Sequence, residues 1–236
     1  MAKNANSGIF RRALSKSASL AFQQAYKQVR VDPDRYLKQI RSKYRLPIQS
    51  WQEMFYLGPQ VIDPIAGRTI AKASKAGALE GAGLGLGGFM TVVPDLGILA
   101  TITVRMLQRL SLLYGFEYTS HEENMQLLWA AASAAGVDLG RDFVEKQAIE
   151  RLAPRVADKI AAKVGAEVAE KWVGRVFPVI SAGIAGGINY YFVRAWGRRA
   201  QKHFQARHRA ASAHPLPINV TRPPALRSRN PLPQSS

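Results

Sequence analysis

The sequence predicts an all-α protein, a compact multi-helix bundle with a glycine-rich helical hairpin and a disordered basic tail. Three observations carry that prediction. Apolar residues recur at helical spacing along most of the chain. Caps, prolines and glycines punctuate it at helix-length intervals. Strand-forming content is confined to Met90–Val93 and Ile98–Val104, and each run adjoins helical sequence.

Residues 9–30 place Ile9, Phe10, Ala13, Leu14, Ala21, Phe22, Ala25 and Val29 on one helical face. Asp32-Pro33 reads as an N-cap followed by proline at the first helical position, opening a helix through Tyr44 that Leu46-Pro47 ends. Ser50-Trp51-Gln52-Glu53 has the form of a capping box, and Gly58-Pro59 stops the helix it would start. Asp63-Pro64 is expected to open the next helix, which runs into the glycine-rich stretch. A second capping box, Ser120-His121-Glu122-Glu123, starts a helix through Ala135. Leu152, Val156, Ile160, Val164, Val168 and Trp172 then recur every fourth residue, with Pro154 and Pro178 as kinks or restarts. Beyond about residue 210 the periodicity vanishes into Pro, Ser, Ala and Arg, a composition that predicts disorder.

The net charge of +17 is unevenly placed. Residues 1–45 hold eleven Lys/Arg against two Asp, and residues 194–236 hold nine basic residues and no acid. The stretch between is nearly neutral, with thirteen basic and fourteen acidic residues. Cationic flanks of this kind suit an anionic partner, a lipid headgroup surface or a nucleic acid. Solvation of the flanks is the plainer alternative. With no cysteine there is no disulfide, thiolate metal site or cysteine nucleophile. The N-terminus lacks the apolar core of a signal peptide, so the protein is expected to be unexported.

Residues 77–104 are the least ordinary part. Gly77, Gly81 and Gly85 are spaced by four, as are Gly83 and Gly87, giving a stripe without side chains that lets another backbone approach. Each helical glycine costs about 1 kcal/mol relative to alanine, so close packing has to offset roughly 5 kcal/mol. The small residues Ala157, Ala161, Gly165 and Ala169 are the expected neighbour. Pro94-Asp95 is expected to make the hairpin turn and cap a helix from Leu96 to Tyr114. Glu80, Gly81, Gly85, Asp95, Arg105 and Arg109 are the candidate functional or packing residues of this hairpin, and the two arginines lie one turn apart.

Asp95 near the middle of the hairpin opposes a span, because an aspartate at mid-bilayer costs ~2.5–3.5 kcal/mol. Val176–Val193 is the better candidate, with eighteen residues free of charge and a Gly183/Gly187 pair. Trp172 and Arg175 flank one end, and Tyr190, Tyr191, Arg194, Trp196, Arg198 and Arg199 flank the other in the manner of an interfacial anchor. Pro178, Ser181, Asn189 and the marginal length favour a buried core helix instead.

Familiar chemistry is missing. Gly83-x-Gly85-x-x-Gly88 matches the dinucleotide fingerprint by letter, but a helix precedes it where a strand is required, and no acid follows about twenty residues on. No zincin helix, Walker lysine or serine elbow is present, and His203 with His208 makes a poor metal pair. No catalytic residue, metal ligand or cofactor is assigned.

The order of motifs resembles the EcsC family of bacterial proteins. It rests on Tyr36-Leu37, Leu46-Pro47-Ile48 and Asp63-Pro64-Ile65-Ala66, then Gly77–Gly88 with Glu80-Gly81, and Val93-Pro94-Asp95-Leu96. Arg105 to Leu110, Tyr114-Gly115-Phe116 and Val176–Gly187 complete it, over roughly residues 35–205. The resemblance implies a mostly helical fold, a bacterial source and a role close to the membrane, since the family takes its name from a component encoded beside an ABC transporter. It supplies no reaction and no catalytic residues.

The expected organisation is a basic helical extension (1–34), an EcsC-like helical domain (35–205) and a basic Pro/Arg/Ser tail (206–236). The expected function is that of a non-enzymatic accessory protein on the cytoplasmic face of the cell membrane, with an anionic membrane surface or a membrane protein as partner. Two rivals are a nucleic-acid-binding protein using the same flanks, and a hydrolase with a carboxylate/arginine cleft built from Glu80, Asp95 and Arg105.

Overall fold

In the computed structural model, the residues described are 16–17, 20–84, 92–118, 127, 130–134, 159, 163 and 182–213. All regular structure among them is helical, with no strand. In chain order there is α1 (residues 20–28), α2 (Pro33–Tyr44), a short 3-10 helix (Gln52–Tyr56), α3 (Pro59–Leu84), α4 (Val92–Leu113) and α5 (Ala182–Ala213). Residues 98–104, with strand-like composition, lie inside α4, where helical packing overrides β-branched content.

The start of α2 follows the sequence reading. The Asp32 carboxylate accepts the Arg35 N–H at 3.0 Å, and Pro33 occupies the first turn. The helix ends on Arg45, which takes the left-handed conformation at φ 52°. The Ser50 capping box behaves differently. Ser50 Oγ donates to Glu53 Oε1 at 3.2 Å, and the segment forms only a 3-10 turn, because Gly58-Pro59 leaves too few residues for an α-helix. Trp51 pins this loop to α2, stacking on Tyr36 at 5.6 Å and donating its indole N–H to the Pro33 carbonyl at 3.3 Å.

The start of α3 corrects the expectation that Asp63-Pro64 opens it. Pro59 opens it, and Pro64 sits inside the helix. The Asp63 carboxylate is free for another task, accepting the Tyr114 hydroxyl at 2.7 Å. Pro94-Asp95 also shifts role. α4 begins at Val92, so Pro94 is its third residue, where its missing N–H would have had no partner within the helix. Residues 85–91, between α3 and α4, fall outside the described set.

α4 ends in a Schellman motif. Phe116 N–H donates to the Ser111 carbonyl and Gly115 N–H to the Leu112 carbonyl, each at 2.9 Å. Gly115 takes φ +86°, and a Cβ there would lie 2.8 Å from the Phe55 ring, so conformation and space both require glycine.

α3 and α5 pack along each other and meet α4. One glycine of the stripe, Gly77, finds its partner here. A Cβ on Gly77 would meet Val193 at 3.2 Å, and one on Gly186 would lie 2.6 Å from the Ala78 carbonyl oxygen. A Cβ on Gly197 would approach Ile70 at 2.8 Å and Met106 Sδ at 2.9 Å. The helix covering Gly77 is therefore α5, and the 157–169 stripe expected in that place lies outside the described residues, apart from Lys159 and Lys163. Of the apparent Gly183/Gly187 pair, Gly187 faces open space and its neighbour Gly186 makes the contact.

Trp196 fills the centre, fully buried, stacked on Phe192 at 5.5 Å and tilted against Phe22 at 6.0 Å. Phe22, Ala25 and Val29 carry the N-terminal helix into this core, so residues 20–29 are built into the domain rather than appended to it. Gln108 ties the α1–α2 link to α4. Its amide accepts from Val31 N–H at 2.9 Å and donates to the Val29 carbonyl at 2.8 Å, while the Tyr118 hydroxyl donates to the Val31 carbonyl at 2.5 Å. At the other boundary, α5 continues to Ala213 with His208 buried, so the helix runs eight residues into the segment expected as a tail. Burying each large apolar side chain contributes about 1.5–3 kcal/mol.

Candidate functional site

α5 contains six Lys/Arg and no Asp or Glu. Its periodicity sorts its residues into two faces. Asn189, Phe192, Val193, Trp196, Ala200, Gln201, Phe204 and His208 are buried, whereas Tyr191, Ala195, Arg198, Lys202, Ala206 and Arg209 are exposed at steps of three and four. The exposed row has the composition of an anionic-surface contact: cations along its length and an aromatic at one end.

That aromatic end is ordered by local contacts. Tyr191 is 71% exposed and meets Tyr190 edge-on at 5.5 Å. Arg194, one turn on, donates to the Tyr190 hydroxyl at 3.0 Å and lies 5.8 Å from its ring centroid. Arg198 reaches Gln201 at 3.4 Å. The structure thus brings Tyr190, Tyr191, Arg194 and Arg198 together on the outside of one helix. It places Trp196 in the core, so this predicted contact residue is corrected to a packing residue. Arg199 is half-buried beside the row, and Arg175 lies outside the described residues.

No described helix is long and apolar enough to cross a membrane. The described part of the Val176–Val193 segment belongs to α5, with Asn189, Phe192 and Val193 buried against the bundle.

The hairpin candidates do not assemble a cleft among the described residues. Glu80 is exposed and Gly81 is buried. Arg105 is exposed, while Arg109 lies over the Tyr36 ring at 5.5 Å. No ion pair or hydrogen bond joins Glu80 to either arginine. Gly85 and the Asp95 side chain lie outside the described set, and no described group of His, Asp and Glu could hold a metal ion.

A polar network absent from the sequence reading does form under α5. Tyr114 OH donates to Asp63 Oδ1 at 2.7 Å and accepts from Gln201 Nε2 at 3.3 Å, and His208 Nδ1 lies 3.0 Å from the Tyr114 carbonyl. Tyr114 and Phe204 stack at 6.3 Å, and Phe55 stacks on His208 at 5.2 Å. Burial, then the hydrogen bond to Asp63, pushes the Tyr114 hydroxyl above its ordinary pKa; burial does the same for Tyr36 and Tyr118 and lifts Tyr26 to about 12. Of these phenols, Tyr114 and Tyr118 act as structural donors, to Asp63 and to the Val31 carbonyl. The one available signal was the tyrosine beside the helix-ending glycine; its partners stand 51 and 87 residues away.

The profile of the EcsC protein family matches residues 7–208. Protein EcsC of Bacillus subtilis (strain 168) is 28% identical over 152 residues, an overlap covering 61% of this chain and 62% of the relative. The chain thus spans less than two thirds of that relative's length. No solved structure matches the chain. The profile begins within the segment expected to be an extension and ends at buried His208, in keeping with the integration of α1 and of the second half of α5 into the fold.

Proposed function

The chain belongs to the EcsC protein family, and from that premise we propose that it is a non-enzymatic accessory protein that docks peripherally on the anionic cytoplasmic face of the cell membrane, beside a membrane-protein partner such as a transporter. The observation that carries this reading is the exposed, acid-free row on α5, with Tyr191 at one end and Arg198, Lys202 and Arg209 along it. Each basic residue near an anionic surface contributes about 1 kcal/mol. Three of them with Arg194 supply roughly 4 kcal/mol, a millimolar affinity before the tyrosines and the basic flanks add to it. Tyrosine suits the headgroup level, where its ring is apolar and its hydroxyl hydrated. Docking of this kind needs no spanning helix.

Co-sedimentation of the full chain with vesicles tests the reading. Binding is expected to vesicles containing phosphatidylglycerol at low salt, to fall steeply as salt screens the charges, and to be absent with phosphatidylcholine alone. Equal recovery with both lipids, or none with either, contradicts it. Stronger salt-dependent retention on duplex DNA than on the anionic vesicles transfers the basic surface to nucleic acid.

A further inference from the structure

α3 carries an exposed row of its own. Arg68, Lys72, Lys75 and Leu79 recur at steps of four, three and four, and Leu79 is 75% exposed. The row has the same make-up as the one on α5, with cations along its length and a large, exposed side chain at its end. The end of α2 widens it. Lys43 lies 5.3 Å and Arg68 5.7 Å from the Tyr44 ring centroid, so Lys43 and the exposed Arg45 continue the positive charge beside Arg68. The acids of these two helices stand apart. Asp63 accepts from Tyr114, Asp34 lies at the opposite end of α2 from Lys43, and Glu80 follows Leu79.

The two rows look away from each other. Gly77 is where α3 meets Val193 of α5. Lys75 and Leu79 stand two residues either side of Gly77, about 200° round the helix, and Tyr191 and Ala195 stand likewise about Val193. The pair is antiparallel, since Ile70, before Gly77, meets Gly197, after Val193. Leu79 and Tyr191 therefore mark the same end of the bundle on opposite sides. Helix axes about 8–10 Å apart, with side chains pointing outwards, put roughly 20 Å between the rows.

We propose that the α2–α3 row is a second lipid contact, and that the protein joins two anionic bilayers, one against each face. The inference rests on docking through α5. A bilayer on the α5 side leaves Lys72 and Lys75 roughly 20 Å away, about two Debye lengths at 0.1 M salt, and so available to another negative surface. Leu79, in line with the cations, favours lipid over nucleic acid. An aliphatic side chain gains from the acyl boundary and nothing from a phosphate backbone. Without a tyrosine pair the row is the weaker contact alone. It acts in numbers, once α5 has arrayed many copies on one vesicle.

Light scattering and co-sedimentation of phosphatidylglycerol vesicles with the full chain, at about 0.1 M salt, separate the two contacts. The parent chain is expected to sediment with the vesicles and to raise their mean diameter at least about threefold, the clusters dispersing as salt is added. Lys72→Glu/Lys75→Glu should lose the clustering and still sediment, with an affinity within about threefold of the parent, because the reversed charges face away from the docked bilayer. Arg68 is left in place because it packs on Tyr44. Should that variant fold poorly, Lys72→Gln/Lys75→Gln removes the charge, keeps good helix formers and should likewise sediment without clustering. Sedimentation of the parent chain without clustering overturns the proposal and leaves docking through α5 standing. Clustering that persists in the folded variant also overturns it. Capture of duplex DNA by vesicle-docked protein, with no vesicle clustering, assigns the row to nucleic acid instead. No sedimentation at all removes the α5 reading and this one with it.

Discussion

The two faces of α5 differ in what they tolerate, and the difference lies in their neighbours rather than in their helix propensity. On the inner face Gly186 is so close to the Ala78 carbonyl that even a methyl group would intrude, and Trp196 is sealed among Phe22, Phe192 and the rest of the core. On the outer face Arg198, Lys202 and Arg209 contact mainly water. The inner face specifies the fold by fit. The outer face is free to be written for charge, and it is written in one sign.

Substitutions on the inner face carry the largest expected effects. Trp196→Ala should destabilise by about 3–5 kcal/mol, read as a lower midpoint in denaturant at unchanged slope. Gly186→Ala and Gly187→Ala sharpen the comparison within one pair of neighbours. The first forces a methyl towards a backbone oxygen 2.6 Å away and should cost roughly 1–3 kcal/mol. The second meets nothing within 4 Å and should gain up to about 1 kcal/mol from helix propensity. Equal effects at the two positions would break the account of the seam.

The pH dependence is subtler. His203 has a folded pKa near 4, below its ordinary 6.5, because burial and Arg207 disfavour its charged form. Its neutral form is favoured in the fold, so its contribution is complete above pH 6.5 and is lost as pH falls towards 4. Denaturant midpoints should decline across that window, and His203→Gln should flatten the decline. Tyr26 mirrors this at the alkaline end: its contribution is intact below pH 10 and is lost as pH rises to about 12. The smallest effect belongs to the outer face. Arg198→Glu should change stability by no more than about 0.5 kcal/mol, checked by the same melts.

How much of this was legible in the sequence varies with the range of the interaction. Local signals read well. Asp32-Pro33 begins α2, and Tyr114-Gly115-Phe116 ends α4. Where two local signals compete, the reading slips. Gly58-Pro59 reads as a helix stop and Asp63-Pro64 as the next start, yet Pro59 opens α3 and the Asp63 carboxylate accepts from Tyr114. The pairing at Gly77 was not legible, since any stripe of small residues suits it and no local feature points to α5. The exposed face of α5 was half legible. Tyr191 and Arg198, seven apart, share a side, whereas Trp196 stands five from Tyr191 and turns inward, a distinction that composition near a run of arginines conceals. The Gln108 clamp spans 77 and 79 residues and has no local signature.

The most direct test of the central claim is the affinity of Arg198→Glu/Lys202→Glu/Arg209→Glu for phosphatidylglycerol vesicles at low salt, beside its unfolding midpoint. Each reversal removes about 1 kcal/mol of attraction and adds comparable repulsion, so binding should fall at least a hundredfold while the midpoint stays close to that of the parent chain. Undiminished vesicle binding by a well-folded triple variant would contradict the assignment of the outer face of α5 as the membrane contact.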